Sequence, residues 1–182
     1  MTLKPFVYLS QPSRVVFGQG ALARLPEEIV ALGAHKALVL STSEQRPTAE
    51  QVAALLGPRA VGIFDRAVMH VPIETARQAR EVARQLGADC AVAIGGGSTV
   101  GLGKAIALDS GLPIVAIPTT YAGSEMTPIF GITEGGLKKT GRDLRALPRT
   151  VIYDPELSVN LPVALSVASG INALAHAAEA LY

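Results

Sequence analysis

The stretch AVAIGGGSTVGLGKAIAL, residues 91–108, governs the reading of the whole chain. It opens as an unalternating apolar run, the pattern of a strand covered on both faces. Three glycines and Ser98 follow, and a helical sequence begins at once. Glycine lets a ligand come close to the backbone, because no Cβ stands in the way. The free N–H groups and the positive dipole end of a helix starting here favour a phosphate or pyrophosphate. A tight turn capped by Ser98 would not need three consecutive glycines. Gly95, Gly96, Gly97 and Ser98 are therefore expected to hold phosphate groups. The segment is not a P-loop, since no Gly-Lys-Ser or Gly-Lys-Thr follows the glycines. Nor is it a GxGxxG fingerprint in the first βα turn, where Gly18-Gln19-Gly20 lacks that pattern. Lys104, two turns into the helix, is expected to face solvent.

Working outward, strand and helix patterns alternate. Upstream, RVVF (14–17), KALVLS (36–41) and AVGIFD (60–65) read as strands. Between them, Pro26 is expected to open a helical piece, and Thr48-Ala49-Glu50-Gln51 reads as a capping box for a helix ending near Gly57. Residues 73–87 place Ile73, Ala76, Ala79, Ala83 and Leu86 on one helical face, with Gly87 as the stop. Downstream, LPIVAIPTT (112–120) and TVIYDPEL (150–157) read as strands, and IFGIT with LKKTG reads as a hairpin about Gly135-Gly136. The fold class this implies is α/β, a Rossmann-like parallel sheet with helices on both faces, over residues 1–161. Residues 162–182, rich in Ala and Leu, read as the start of an all-α domain. About twenty residues cannot form a core alone.

Composition narrows the function classes. Apolar residues make up 49% and charged residues 17%, which is globular rather than disordered. The net charge of +1, with no basic cluster, gives no case for nucleic acid. The single Cys90 excludes an internal disulfide and fits a reducing compartment. Pro5, Gln11 and Pro12 break the N-terminal stretch, so no signal-peptide core is expected there. No run reaches the ~18 apolar residues of a membrane span. A cytoplasmic protein with no nucleic-acid or membrane partner is expected.

Three further segments bear candidate chemistry. Pro118-Thr119-Thr120, with Ser124, Glu125 and Thr127 after it, puts short hydroxyls at the carboxyl end of a strand, where open α/β sheets bind ligands. Lys138 and Lys139 on the hairpin could reach a phosphate or carboxylate, or form a solvated edge. In SGINALAHAAEALY (169–182), Asn172 and His176 are four apart on one helical face. That spacing suits two metal ligands, or one ligand beside an amide. His35 and His70 lie in loops without companion ligands and are given no role.

In this order the motifs GGGST–GLGKA, PTTYAGSE, LPRTVIYDPEL and GINALAHAAEALY resemble the iron-containing (group III) alcohol dehydrogenase family, of the dehydroquinate-synthase-like fold. The resemblance covers the whole chain, which matches the nucleotide-binding domain and the start of the helical domain of such enzymes. It implies an NADH- or NADPH-dependent oxidoreductase. Gly95, Gly96, Gly97 and Ser98 match the family's pyrophosphate-binding GGGS. Thr119, Thr120 and Ser124 match a PTT-x-x-x-S segment bordering the nicotinamide side. One of Lys138 and Lys139, taken as Lys139, matches a lysine near the cofactor ribose. Thr42 stands near where NAD-preferring relatives carry an Asp, so both dinucleotides are expected to be accepted.

Two departures redirect the reading. Gly101 replaces the Asp of GGGS-x-x-D, and Asn172 replaces the Asp of G-x-D-A-L-x-H, which together with the His supplies metal ligands in metal-dependent members. An amide brings no charge to offset the desolvation of a divalent ion. No metal is therefore expected, and Asn172 and His176 are expected to contact substrate, with His176 as donor or proton source. Both departures resemble the branch of the family that reduces the carbon–carbon double bond of a 4-oxo-2-enedioate in aromatic-compound breakdown. There hydride adds conjugate to a ketone, and hydrogen-bond donors and cations hold the enolate. A metal-dependent alcohol or glycerol dehydrogenase is the alternative, which Asn172 argues against. A non-catalytic nucleotide-binding module is the other. A small dicarboxylate substrate and a homodimer are expected. The remaining family histidines lie further along than Tyr182, so this chain alone is expected to bind dinucleotide weakly and turn over poorly.

Overall fold

The computed structural model describes residues 13–179. The N-terminal stretch read above for a signal peptide lies outside the described residues, as do the last three positions of the GINALAHAAEALY motif. In chain order the elements are β1 (Arg14–Phe17), α1 (Leu25–Ala31), β2 (Ala37–Leu40), α2 (Arg46–Leu56), β3 (Ala60–Phe64), α3 (Ile73–Leu86) and β4 (Cys90–Gly95). They continue with α4 (Gly97–Ser110), β5 (Ile114–Pro118), the hairpin β6 (Ile129–Glu134) and β7 (Leu137–Arg142), β8 (Thr150–Tyr153), and α5 (Val163–Glu179). Six strands form one sheet in the order β1-β8-β5-β4-β2-β3, and every pairing within it is parallel. After β2 the chain moves outward to β3, then returns to lay β4 on the other side of β2. The connections leaving β2 and β4 therefore diverge and open a crevice at their carboxyl ends, where such sheets bind ligands.

Strand alternation builds two apolar layers. Val39, Val92, Ile94, Val115 and Ile117 face Leu25, Ile29, Ala49, Val52 and Leu56 of α1 and α2. Leu38, Leu40, Ala91, Ala93 and Ile114 face Ala76, Ala79 and Ala83 of α3, and Leu102, Ala105 and Ile106 of α4. Burial on both faces explains why β2, β4 and β5 read as unbroken apolar runs. The predicted α3 face is buried at its three alanines, whereas Leu86 at the helix end remains 38% exposed.

Local signals hold with two corrections, the first being that the strand read over 150–157 ends at Tyr153, where Asp154 caps a 3-10 turn over Pro155–Ser158. Pro26 lies in the first turn of α1, as expected. The capping box at Thr48–Gln51 is not used, because α2 begins earlier, at Arg46, with Pro47 in its first turn. Proline's fixed φ favours that position and needs no N–H there, so it outranks the side-chain cap. At the hairpin, Gly135 and Gly136 take φ of 57° and 77°, the backbone that a two-residue type I′ turn requires. Helix α5 follows Pro162 and buries none of its residues against the sheet domain. Among the described residues, no helix is long and apolar enough to cross a membrane.

Candidate functional site

The glycine turn is where the crevice floor is built. β4 ends at Gly95, with φ +150°, and α4 starts at Gly97 without a side-chain cap. The N–H groups of Thr99 and Val100 both bond back to the carbonyl of Gly96, at 3.1 and 3.2 Å. The N–H groups of Gly97 and Ser98 precede these first helical bonds and are left for a ligand. The neighbours of the turn crowd its first two glycines. A Cβ on Gly95 would stand 2.5 Å from Thr99 Oγ1 and 2.6 Å from Gln45 Oε1, and one on Gly96 would stand 3.2 Å from Thr120 Cγ2.

The end of β5 joins this floor. Thr119, only 3% exposed, donates its N–H to the Gly95 carbonyl at 3.1 Å and so extends the β4–β5 pairing by one residue. Its Oγ1 accepts a 2.9 Å bond from Gln45 Nε2. Thr120 lies against Gly96, and the chain then turns outward through the loop bearing Ser124. Thr42, half-buried after β2, accepts the Gln45 N–H at 3.4 Å. The predicted residues Thr42, Gly95, Gly96, Gly97, Ser98, Thr119 and Thr120 are therefore gathered at the carboxyl ends of β2, β4 and β5.

Lys104 does not face solvent. It is fully buried, and its Nζ donates to the carbonyls of Ser124, Thr127 and Ile129 at 2.7, 2.8 and 2.6 Å. Helix α4 is buried from Thr99 to Ala107 except at the half-buried Gly101, so it offers no wet face for a lysine to occupy. The ammonium instead satisfies three carbonyls of the loop and of β6, pinning both to α4. Burial pushes its pKa down to about 8, partly offset by Glu125. Glu125, 3% exposed, accepts the Tyr153 hydroxyl at 2.8 Å, and burial together with this carboxylate raises the Tyr153 pKa. The sequence had one signal for this: GLGKAIAL is apolar all round, the mark of an enclosed helix.

Two clefts flank the loop. One, of about 280 Å³, is lined by Phe17, Thr119, Thr120, Glu125 and Tyr153 among others. The second, of about 550 Å³, lies between the loop and α5, with Tyr121, Ser124, Thr127, Ile129, Ala173 and His176 on its walls. Helix α5 is fixed there by a 2.9 Å bond from the Tyr121 N–H to Ser169 Oγ. His176 thus shares a cleft with Ser124, while Asn172 is exposed and not on its wall. The residues lining this cleft are uncharged or histidine, and the Glu179 carboxylate stands 3.9 Å from His176 Nδ1 on the next turn of α5.

Other predicted positions sit apart from the turn. Lys139 Nζ is bound by Glu134 at 2.8 Å, and Arg77 reaches the same carboxylate at 3.3 Å. Lys138 lies over Gly131 on the other face of the hairpin, with no ion-pair partner among the described residues. Glu44, which the sequence reading passed over, has its pKa lowered by its own backbone N–H and then by the neighbouring Thr42 and Ser43 hydroxyls. A carboxylate therefore does stand in the loop after β2. Gly101 faces Val71, whose Cγ2 would be 2.8 Å from any Cβ there. Val71 and His70 both hold positive φ, and Thr133 anchors them through bonds to the His70 and Val71 carbonyls.

As to a metal, the α5 face offers one imidazole and one neutral amide, and a side chain at position 101 is blocked. Among the described residues no three His, Cys, Asp or Glu side chains converge. The described residues by themselves do not supply a set of donors for a divalent cation.

A parallel sheet with a glycine turn at its switch crevice and hydroxyls at the next strand end defines a Rossmann-like nucleotide-binding domain. Residues 12–155 match the family described as iron-containing alcohol dehydrogenase, and the chain belongs to that family. It is 67% identical over 180 residues to the maleylacetate reductase of Burkholderia cepacia, covering 99% of this chain and 51% of the relative. It is 57% identical to that of Sphingobium indicum over 177 residues, 97% of this chain and 50% of the relative. The crystal structure of maleylacetate reductase from Agrobacterium tumefaciens superposes with a TM-score of 0.96 at 56% identity, over 99% of this chain and 51% of that one. The chain thus spans about half the length of the curated relatives it matches.

Proposed function

We propose that this chain is the nucleotide-binding part of an NADH- or NADPH-dependent, metal-independent maleylacetate reductase, which converts 4-oxohex-2-enedioate to 3-oxoadipate in the breakdown of aromatic compounds. The observation that carries the reading is the cleft beside Ser124. It adjoins the glycine turn and brings His176 together with the hydroxyls of Tyr121, Ser124 and Thr127 on walls that carry no acidic residue, Glu179 lying 3.9 Å behind His176 Nδ1. The relatives at high identity support the choice of substrate.

The residues divide the work as follows. The Gly97 and Ser98 N–H groups bind the pyrophosphate, and the absence of Cβ atoms lets it approach. The Thr119 and Thr120 hydroxyls and Ser124 border the nicotinamide. The reduced nicotinamide supplies the hydride when bound. His176, at the cleft wall, donates a hydrogen bond to the substrate oxygen that becomes the enolate and serves as proton source for the carbon alpha to the ketone. One hydride and one proton are consumed per double bond reduced. Asn172 lies one helical turn before His176 but off the wall of this cleft, and is assigned no substrate contact there. Lys138 is favoured over Lys139 as the cofactor-side lysine, because Glu134 engages Lys139. The exposed edge strand β1, with Val15 and Phe17 at 48% and 75% exposure, supports a homodimer. A cytoplasmic location rests on the lone Cys90.

His176→Ala in the intact protein tests the assignment. Maleylacetate turnover should fall by roughly 10²–10⁴-fold while NADH affinity stays within error. Unchanged turnover would remove His176 from the chemistry.

A further inference from the structure

Gln45 crosses the crevice. Its backbone N–H is tied to Thr42 after β2, and its side chain passes the end of β4 so closely that Oε1 would touch a Cβ on Gly95. Its Nε2 then reaches Thr119 after β5 at 2.9 Å. One side chain thus links three strand ends around the glycine turn. The contact has a direction. An amide nitrogen can only donate, so the Thr119 oxygen accepts, and the hydroxyl proton must point elsewhere. Among the described residues no protein acceptor takes that proton. Two further hydroxyls at the crevice, Ser41 Oγ and Thr99 Oγ1, are fully buried and lack partners as well. Buried polar groups are rarely left unpaired, and a cluster of them marks a place where an outside group completes the bonding.

We propose that Gln45 is a positioning residue for the dinucleotide. By filling the acceptor side of Thr119, it turns the Thr119 proton outward as a fixed donor to a phosphate or carboxamide oxygen of the cofactor. The role rests on the dinucleotide reading above and extends it to a residue that belongs to none of the recognised motifs. Without the amide, the Thr119 hydroxyl rotates freely and loses part of its donor geometry. Gln45→Met keeps the length of the side chain and removes the donor.

A double-mutant cycle on the intact protein, read by fluorescence titration with NADH, tests this. Q45M should weaken NADH binding by roughly five- to ten-fold, the effect of one oriented hydrogen bond. T119V should weaken it at least as much, and Q45M/T119V should be no worse than T119V alone. Unchanged binding by Q45M, or a double variant weakened by the product of the two single effects, overturns the proposal. If Q45M does not fold, Q45E replaces it. Its carboxylate would draw the Thr119 proton away from the cofactor, so binding must fall at least about five-fold below wild type, and wild-type binding by Q45E overturns the proposal. A wild-type protein that binds no NADH would overturn the dinucleotide reading itself and this inference with it. A wild type that binds, with Q45M unaltered, overturns the inference alone.

Discussion

Gly95 and Gly97 stand two residues apart in the same turn for different reasons. At Gly95 a methyl group would collide with Thr99 and Gln45, at 2.5 and 2.6 Å, and the φ of +150° disfavours other residues. At Gly97 a methyl group would meet only Ala122 Cβ, at an ordinary 3.5 Å. The fold leaves room there, so the missing side chain serves the ligand. Gly95→Ala should therefore destabilise the protein by about 1–3 kcal/mol in urea unfolding. Gly97→Ala should leave stability within about 0.5 kcal/mol yet weaken NADH at least about tenfold, because it crowds the phosphate. Equal NADH affinity in Gly97→Ala would remove the pyrophosphate from this turn. Cofactor choice is also a matter of single residues. Thr42 offers no carboxylate to repel a 2′-phosphate, but Glu44 does, and it is exposed. Glu44→Gln should improve NADPH relative to NADH by roughly two- to five-fold in kcat/KM, the modest effect of a screened surface charge.

Helix α4 and the loop after β5 act as one element because Lys104 joins them. Replacing the ammonium by Lys104→Met leaves three carbonyls without a donor, and a loss of about 3 kcal/mol in unfolding free energy is expected. The pH dependence has a definite sign. Burial lowers the folded pKa to about 8 from 10.5, so between these values the unfolded chain binds more protons than the folded one. Stability contributed by Lys104 therefore rises with pH across that window, and below about 8 its charge carries the full burial penalty. Wild type should gain stability relative to Lys104→Met between about pH 7 and about pH 10 in paired urea titrations. A wild-type curve parallel to that of the variant would mean that the pKa is not lowered.

At this scale the sequence was legible wherever the pattern is local. Buried strands read as apolar runs, and Gly135-Gly136 marked its hairpin. Lys104 was misread because position in a helix says nothing about what the third layer covers. Gln45 was missed because its partner lies 74 residues away, across a crevice that only the strand order creates. The same holds for Val71, whose close fit to Gly101 depends on a loop anchored by the hairpin.

For the whole molecule, the sheet domain supplies a floor and one wall, and α5 supplies the first piece of the facing wall. Val163, Val167, Ile171 and Leu174 on that helix remain more than half exposed. The motif order brought Ser124 and His176 to one cleft, which required the strand order, the loop pinned by Lys104 and the Tyr121–Ser169 bond together. That the candidate residues on the sheet would lie together was readable from motifs, because strand ends converge in any such fold. Lys139 and Asn172 were less so, since their surroundings depend on hairpin pairing and helix rotation. Asn172 and Gly101 stand where the motifs of metal-dependent members carry carboxylates, and the proposed chemistry therefore rests on hydrogen-bond donors. The most direct measurement is NADH oxidation by the intact protein with maleylacetate, before and after exhaustive treatment with a chelator. Turnover that survives the chelator unchanged is the predicted result. Turnover that disappears with the chelator and returns on adding a divalent metal would contradict the account.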